Sequence, residues 1–313
     1  MSDVIEIHGL VKDYGSLRAV DGIDLSVHRG EVFAFLGPNG AGKTTTVEIL
    51  EGLRDRTSGE VRVLGLDPWK DNPKLVPRQG VIPQDFNFFE KITPSEAVAF
   101  YAGLFGKKVD VTGLLRRVQL EDKADSWFET LSGGQKQKLG LALALVHAPE
   151  VLFLDEPTTG LDPQARRAIW EVIRSLKAEG RTVFLTTHYL EEAEILADRV
   201  AIIHRGHIVA MGTPAEIIRE HGRRGLLTFH APAELADYLR GRTDRTVVAH
   251  DHAVDVEVRG PEDVLQAVRL ATESHIAWES LSTRSDTLED VFIRLVGQVG
   301  ESGEEKPAHE GSP

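Results

Sequence analysis

The segment Gly37-Pro38-Asn39-Gly40-Ala41-Gly42-Lys43-Thr44 constrains this chain more than any other. It fits G-x-x-x-x-G-K-[ST]. It follows an apolar run at 32–36 and precedes a helical pattern at 44–50. In that strand–loop–helix setting the motif is a phosphate cradle. Its glycines let the backbone curl until the N–H groups face phosphate oxygens, and the helix start adds the positive end of a dipole. Lys43 is expected to reach the β- and γ-phosphates and the Thr44 hydroxyl to meet Mg2+, with Thr45 beside them. A glycine-rich turn leading into a helix is the plainer alternative, and the buried strand ahead of the loop argues against it.

Around this loop, short apolar runs alternate with helical patterns up to about residue 222. Residues 32–36, 151–154 and 183–186 are apolar almost throughout, as strands buried on both faces are. The order predicts an α/β domain over 1–222, a mostly parallel sheet covered by helices. Further strands are expected at 4–8, 61–64, 200–204 and 207–209, the last two joined by a two-residue turn at Arg205-Gly206. Strand patterns stop between about 85 and 130, where a helix opens at Pro94 with Thr93 or Ser95 as its cap. This is a helical insertion, extending over about 85–145 with the next helix included. From 223 to 297 the pattern restarts as β-α-β-β-α-β, with strands at 226–230, 245–249, 254–258 and 276–281 and helices at 232–239 and 262–272. That is the ferredoxin-like order of a small α+β domain. An amphipathic helix is expected at 287–296. Residues 298–313, rich in Gly, Glu, Ser and Pro, are expected to form a disordered acidic tail.

Two more segments carry chemistry. The apolar run at 151–154 ends in Asp155-Glu156-Pro157. A buried strand has no structural reason to end in paired carboxylates, and the C-terminal edge of an open α/β sheet is where ligands bind. Asp155 is assigned to Mg2+, and Glu156 to the general base that orients and polarises an attacking water. Ser132-Gly133-Gly134-Gln135 opens an apolar helix. A hydroxyl, two glycines and a helix N-terminus make a second anion site. One ATP needs one cradle, so the second makes sense if it completes a pocket on another copy of the chain. An ordinary serine N-cap is the alternative.

The 313 residues include no cysteine, which excludes a disulfide scaffold, a thiolate metal site and a thiol nucleophile. A net charge of −13 makes the chain a poor general binder of nucleic acid or anionic lipid. No basic segment followed by an apolar run opens the sequence, and no stretch approaches the roughly 20 apolar residues of a spanning helix. The chain is expected to be soluble and cytoplasmic, with any membrane spanning left to another polypeptide.

The glycine loop, Leu131-Ser132-Gly133-Gly134-Gln135, the Asp155-Glu156 strand end, Gly160-Leu161-Asp162 and His188 stand in the order and spacing of the P-loop ATPases of ABC transporters. Over residues 4 to about 220 the chain resembles that family. The resemblance implies an ABC ATPase domain with an antiparallel N-terminal β-subdomain. It also implies roles for single residues. Gln84 matches a glutamine that binds metal and water and senses the membrane partner. Tyr14 matches an aromatic that stacks on adenine, with covering a sheet edge as the plainer alternative. His188 matches a histidine that contacts the γ-phosphate, and Asp162 lies in a loop linking two active sites. Two chains would close head to tail as a homodimer, each ATP lying between the glycine loop of one and Ser132, Gly134 and Gln135 of the other. Lys138 stands where arginine is common, keeping the charge without the planar fork.

Other branches of the family fit less well. Coiled coils of repair ATPases are absent between loop and signature, there is one cassette rather than the two of ribosomal members, and the C-terminal extension is shorter than in sugar importers. The segment 287–297 resembles the end of drug- and antibiotic-exporting ATPases of the daunorubicin-resistance type. Its apolar residues Leu288, Val291, Phe292 and Leu295 have helical spacing, consistent with packing on its own domain or with a dimer contact. Phe86, Phe88, Phe89 and Tyr101 form either the core of the helical insertion or a groove for a short helix of an integral-membrane permease. The resemblance therefore implies an ATPase on the inner face of the membrane, driving export of a small molecule carried by that permease. A soluble, regulatory ABC ATPase is the alternative.

Overall fold

The computed structural model describes residues 3–84, 86–222, 225–284 and 286–301. Two compact units divide at Ala215/Glu216, in the first turn of a helix that runs Pro214–His221. The expected domain boundary was residue 222. Of the expected tail, residues 302–313 lie outside the described residues.

The first unit opens with a long antiparallel pair, β1 (Asp3–Tyr14) and β2 (Leu17–His28). β3 (Val32–Leu36) leads through the glycine loop into α1 (Lys43–Leu50), and β4 (Ser58–Val63) returns to pair with β1. A short helix, α2 (Asn72–Leu75), precedes β5 (Gln79–Ile82). The helical insertion follows: α3 (Pro94–Leu104), α4 (Val111–Arg117) and α5 (Gly133–Leu145). Then come β6 (Val151–Asp155), α6 (Pro163–Ala178), β7 (Thr182–Thr187), α7 (Leu190–Leu196), β8 (Arg199–His204) and β9 (His207–Gly212), ending in α8, the boundary helix.

The main sheet has the order β5-β6-β7-β3-β8-β9, parallel except for the β8–β9 hairpin. β3 and β6 are buried along their whole length, as is β7. They read VFAFL, VLFLD and TVFLTT, aromatic and β-branched residues suited to a sheet covered on both faces. Phe184 is the hub: its ring centroid lies 5.6 Å from Phe33, 5.7 Å from Phe35 and 5.9 Å from Phe153. β2 and β5 were not anticipated from the sequence, and β1 runs six residues past the expected 4–8 segment. Helix starts carry the expected caps. Thr93 and Glu96 form a reciprocal capping box ahead of Pro94, which selects Thr93 over Ser95.

The second unit contains β10 (Gly225–His230), α9 (Glu234–Arg240), β11 (Val247–His250), β12 (Ala253–Val258), α10 (Pro261–Glu273), β13 (Ser280–Arg284) and α11 (Leu288–Glu301). The sheet order β11-β12-β10-β13, antiparallel throughout, is that of a ferredoxin-like sheet. The last strand is displaced from the expected 276–281. Ile276 and Trp278 instead pack as a lead-in on the small core, with Trp278 edge-on to Phe229, and pairing with β10 begins at Ser280. α11 buries Leu288 and Val291 and continues to Glu301, into the stretch expected to be tail.

Replacing Phe184 by Ala removes the ring at the centre of three others. We expect the unfolding transition of the first unit to lose about 3–5 kcal/mol in urea titration. A loss under 1 kcal/mol would show that the sheet repacks freely there.

Candidate functional site

The glycine loop is fixed by close packing. A Cβ on Gly37 would lie 2.4 Å from the Ile203 carbonyl oxygen, and one on Gly42 2.5 Å from that of Ala19. Gly40 and Gly42 have φ of 77° and 107°, which disfavours other residues. The β8–β9 turn holds the loop from outside, Gly206 N–H donating to the Ala41 carbonyl at 3.0 Å. The result is a tight backbone curl that opens directly into α1, with Pro38, Asn39, Thr44 and Thr45 on its path.

Lys43 is nearly buried. Its Nζ donates to the carbonyls of Gly37 at 2.8 Å and Pro38 at 3.2 Å, and lies 3.8 Å from Glu156 Oε1. Burial lowers its pKa, against the raising pull of Glu156 and Asp155. The ammonium thus satisfies its donors with neutral carbonyls of its own loop, weaker acceptors than an anion.

Across the sheet edge, parallel pairing sets Asp155 level with Thr186. The Thr186 hydroxyl donates to Asp155 Oδ1 and accepts from Glu156 N–H at 3.0 Å. One threonine therefore orients both acids. Glu156 takes a left-handed backbone, φ 47°, unusual for a non-glycine residue. Its Oε2 is the point of convergence. Thr159 Oγ1 donates to it at 3.0 Å, Gln84 Nε2 approaches at 3.5 Å, and His188 Nδ1 lies at 3.0 Å. Burial raises the pKa of Asp155, and the charge of Glu156 adds to this.

The structure thus brings Lys43, Gln84, Asp155, Glu156 and His188 together. Among the described residues, no hydrogen bond or ion pair joins Ser132, Gly133, Gly134 or Gln135 to Lys43, Asp155 or Glu156. Ser132 and Gln135 instead form an exposed reciprocal capping box at the start of α5, Ser132 N–H to Gln135 Oε1 at 2.9 Å. Gly134 has no room for a Cβ, which would meet Ala165 at 2.7 Å. Asp162 caps α6, accepting from Ala165 N–H at 2.8 Å. Tyr14 is exposed at the end of β1, with Lys12 Nζ and Arg54 Cζ each 5.2 Å from its ring centre.

Three contributors escaped the sequence reading: Thr186, Thr159 and Glu192. The hydroxyl pair Thr186-Thr187 closing an apolar strand was the available signal for the first. Glu192 is fully buried, and its Oε1 accepts from both Thr158 Oγ1 at 3.1 Å and Trp170 Nε1 at 2.9 Å. It ties the loop after Glu156 to α6 and to the helix that follows His188. Arg166 stacks 4.1 Å over Tyr189, whose ring lies 4.2 Å from that of His188.

A family model described as ABC transporter matches residues 20–159. The chain is 39% identical over 303 residues to the Nod factor export ATP-binding protein I of Ralstonia nicotianae, covering 94% of each. It is 33% identical over 308 residues to the linearmycin resistance ATP-binding protein LnrL of Bacillus subtilis, covering 95% of this chain and 99% of that one. Among solved structures, an ATP-binding subunit of an ABC transporter superposes with TM-score 0.63 at 31% identity, covering 70% of this chain and 93% of the other. The cbiO1 protein of Clostridium perfringens, part of the cbiONQ transporter complex, gives 0.64 at 29%, covering 71% and 93%. The chain belongs to the ABC transporter family, as an ATP-binding and ATP-hydrolysing subunit. Among the described residues, no helix is long and apolar enough to cross a membrane.

Replacing Glu192 by Ala strands two buried donors. The first unit should lose about 1–3 kcal/mol per donor in urea titration, whereas Glu192→Gln, which keeps an acceptor oxygen, should lose less. Burial raises the Glu192 pKa, so the folded state binds more protons than the unfolded chain. Stability should therefore fall as pH rises above the ordinary carboxylate range, and Glu192→Gln should lack that part of the fall. Equal losses for both variants would contradict the hydrogen-bonding role.

Proposed function

We propose that the chain hydrolyses ATP at Glu156 to drive export through a separate integral-membrane permease, working on the inner face of the membrane as a head-to-tail homodimer. The observation that carries the catalytic part is the convergence of Gln84, Thr159 and His188 on one oxygen of Glu156, opposite Lys43 and the glycine loop. ATP phosphates compete for Lys43, which exchanges the Gly37 and Pro38 carbonyls for phosphate oxygens. That exchange draws the ammonium from Glu156 Oε1 and leaves the carboxylate to take a proton from an attacking water. Thr159 and the strained backbone hold the carboxylate in place, and His188 is positioned to meet the γ-phosphate. Tyr14 offers its ring to adenine.

The residues fit Mg2+. Two adjacent acids at a strand end, one of them buried with its pKa raised, face a single lysine, and a divalent cation offsets that excess. Among the described residues no group of three His, Cys, Asp or Glu could hold a metal. This suits an ion that takes one or two carboxylates and completes its shell with phosphate and water. Asp155 and the Thr44 hydroxyl would hold it, with Gln84 beside them. When bound it supplies charge neutralisation at the phosphates.

Ser132 and Gly133 are exposed, Gln135 is half-buried and Gly134 is buried against Ala165. Among the described residues the segment makes no bond to the Lys43–Glu156 cluster, and its open end is what a half-site for the ATP of a second copy requires. Asp162 caps the helix beside them. The aromatic groove by Gln84 receives a helix of the permease. Export is supported by the relatives named for Nod factor export and linearmycin resistance, which match along nearly the whole chain.

Changing Glu156 to Gln should leave ATP binding intact and slow hydrolysis by about 10²–10⁴-fold. Nucleotide binding by equilibrium dialysis and phosphate release on the same preparation check this. Hydrolysis at the wild-type rate would remove Glu156 from the role of base.

A further inference from the structure

Beside Gln84 a groove of about 380 Å³ opens against the end of α1, α2, β5, α3 and α5. Its walls are aromatic and aliphatic, with Phe86, Phe88, Tyr101 and Phe105 prominent. Its floor is different. Glu51, Gln79 and His147 line it and are 5%, 6% and 7% exposed. Two of them present acceptors without donors, Gln79 Oε1 and His147 Nδ1, and Glu51 adds a carboxyl.

Gln79 uses its amide N–H on the Glu51 carbonyl at 2.9 Å, and its Oε1 has no partner. His147 Nε2 lies 2.8 Å from the Gln79 carbonyl, which can only accept, so Nε2 carries the proton. Burial lowers the His147 pKa, so the ring is neutral and Nδ1 is a bare lone pair, also unpartnered. Phe105 stacks on that ring with centroids 4.1 Å apart. For Glu51, no lysine, arginine or histidine among the described residues lies within ion-pair distance. Burial first, then the charges of Asp155 and Glu48, push its carboxyl up to about 8. Buried acceptors left without donors are costly, and two in one groove, beside a carboxyl that ionises when a cation approaches, call for a donor from elsewhere.

We propose that this floor receives one basic side chain, a guanidinium or an ammonium, carried by the short apolar helix that the permease lays in the groove. This rests on the reading of the groove given above and adds the chemistry of its occupant. The shape takes the apolar face of a helix, and the floor takes a cation that brings several N–H donors and no acceptor. The site is well placed to report to the nucleotide. Glu51 is the C-terminal cap of α1, the helix that begins at Lys43, and the Asp155 charge acts on its carboxyl. A cation seated at Glu51 therefore anchors the far end of the helix that carries the phosphate loop.

The test uses the full chain and the detergent-solubilised permease. Glu51→Gln keeps the shape and removes the carboxyl that a seated cation would meet as a carboxylate. Burial pushes that carboxyl up to about 8, so in the free chain it is largely protonated and the amide replaces a neutral group. The variant should melt no lower than the wild type, which shows that it folds. Its dissociation constant for the permease should rise at least about tenfold. Glu51→Arg should abolish association, and replacing one arginine or lysine of the permease's cytoplasmic segments by Glu should restore it. Wild-type affinity in Glu51→Gln, or failure of every such exchange to rescue Glu51→Arg, would overturn the proposal. The double variant Phe88→Ala, Phe89→Ala separates the two levels. If it still associates fully, the groove is not the docking surface. If it loses association while Glu51→Gln does not, only the cation is wrong.

Discussion

The site depends on the register between two parallel strands. Pairing of β6 with β7 puts Asp155 beside Thr186, whose single hydroxyl fixes both the Asp155 carboxyl and the backbone N–H of Glu156. A shift of one residue would turn Asp155 to the opposite face of the sheet. The ring cluster around Phe184 resists such a shift, because it interlocks β3, β6 and β7 from one side. Core packing and site geometry are thus one constraint seen at two ends of the same strands.

Much of this was legible in the residues. Gly37, Gly42 and Lys43 announce the phosphate loop because only one backbone shape suits that spacing, and Asp155-Glu156 stand out because acids are costly at the end of a buried strand. β2 was missed although Ile23, Leu25 and Val27 alternate with polar residues, because Asp21-Gly22 reads as a turn and puts Val20 out of phase with them. β5 was missed because four residues carry little periodicity. Thr159, Thr186 and Glu192 act through hydrogen bonds across strands and helices, and no local pattern encodes those. The displacement of β13 has the same origin: Ile276 and Trp278 are apolar at alternate positions, as strand residues are, but their rings and methyls fill the small core ahead of the pairing.

The nucleotide site is poised in a self-satisfied form. Lys43 is held by its own loop, Glu156 by Thr159 and its neighbours, and Ser132 by Gln135. The Lys43 contacts to neutral carbonyls are ones that an anion would replace with stronger, charge-assisted ones, whereas Thr159 keeps Glu156 in place. The groove floor is the opposite case, since Gln79 Oε1 and His147 Nδ1 find no donor among the described residues. Lys43, Glu156 and Ser132 are thus each satisfied by partners of their own chain, while the aromatic groove keeps two buried acceptors unpartnered.

The central claim is that each ATP is sandwiched between the glycine loop of one copy and the Ser132 segment of another. The most direct measurement is the specific rate of ATP hydrolysis as purified chain is diluted, with mass followed by light scattering. The account predicts that the rate per chain collapses as dimers give way to monomers. A constant rate in a solution of monomers would contradict it.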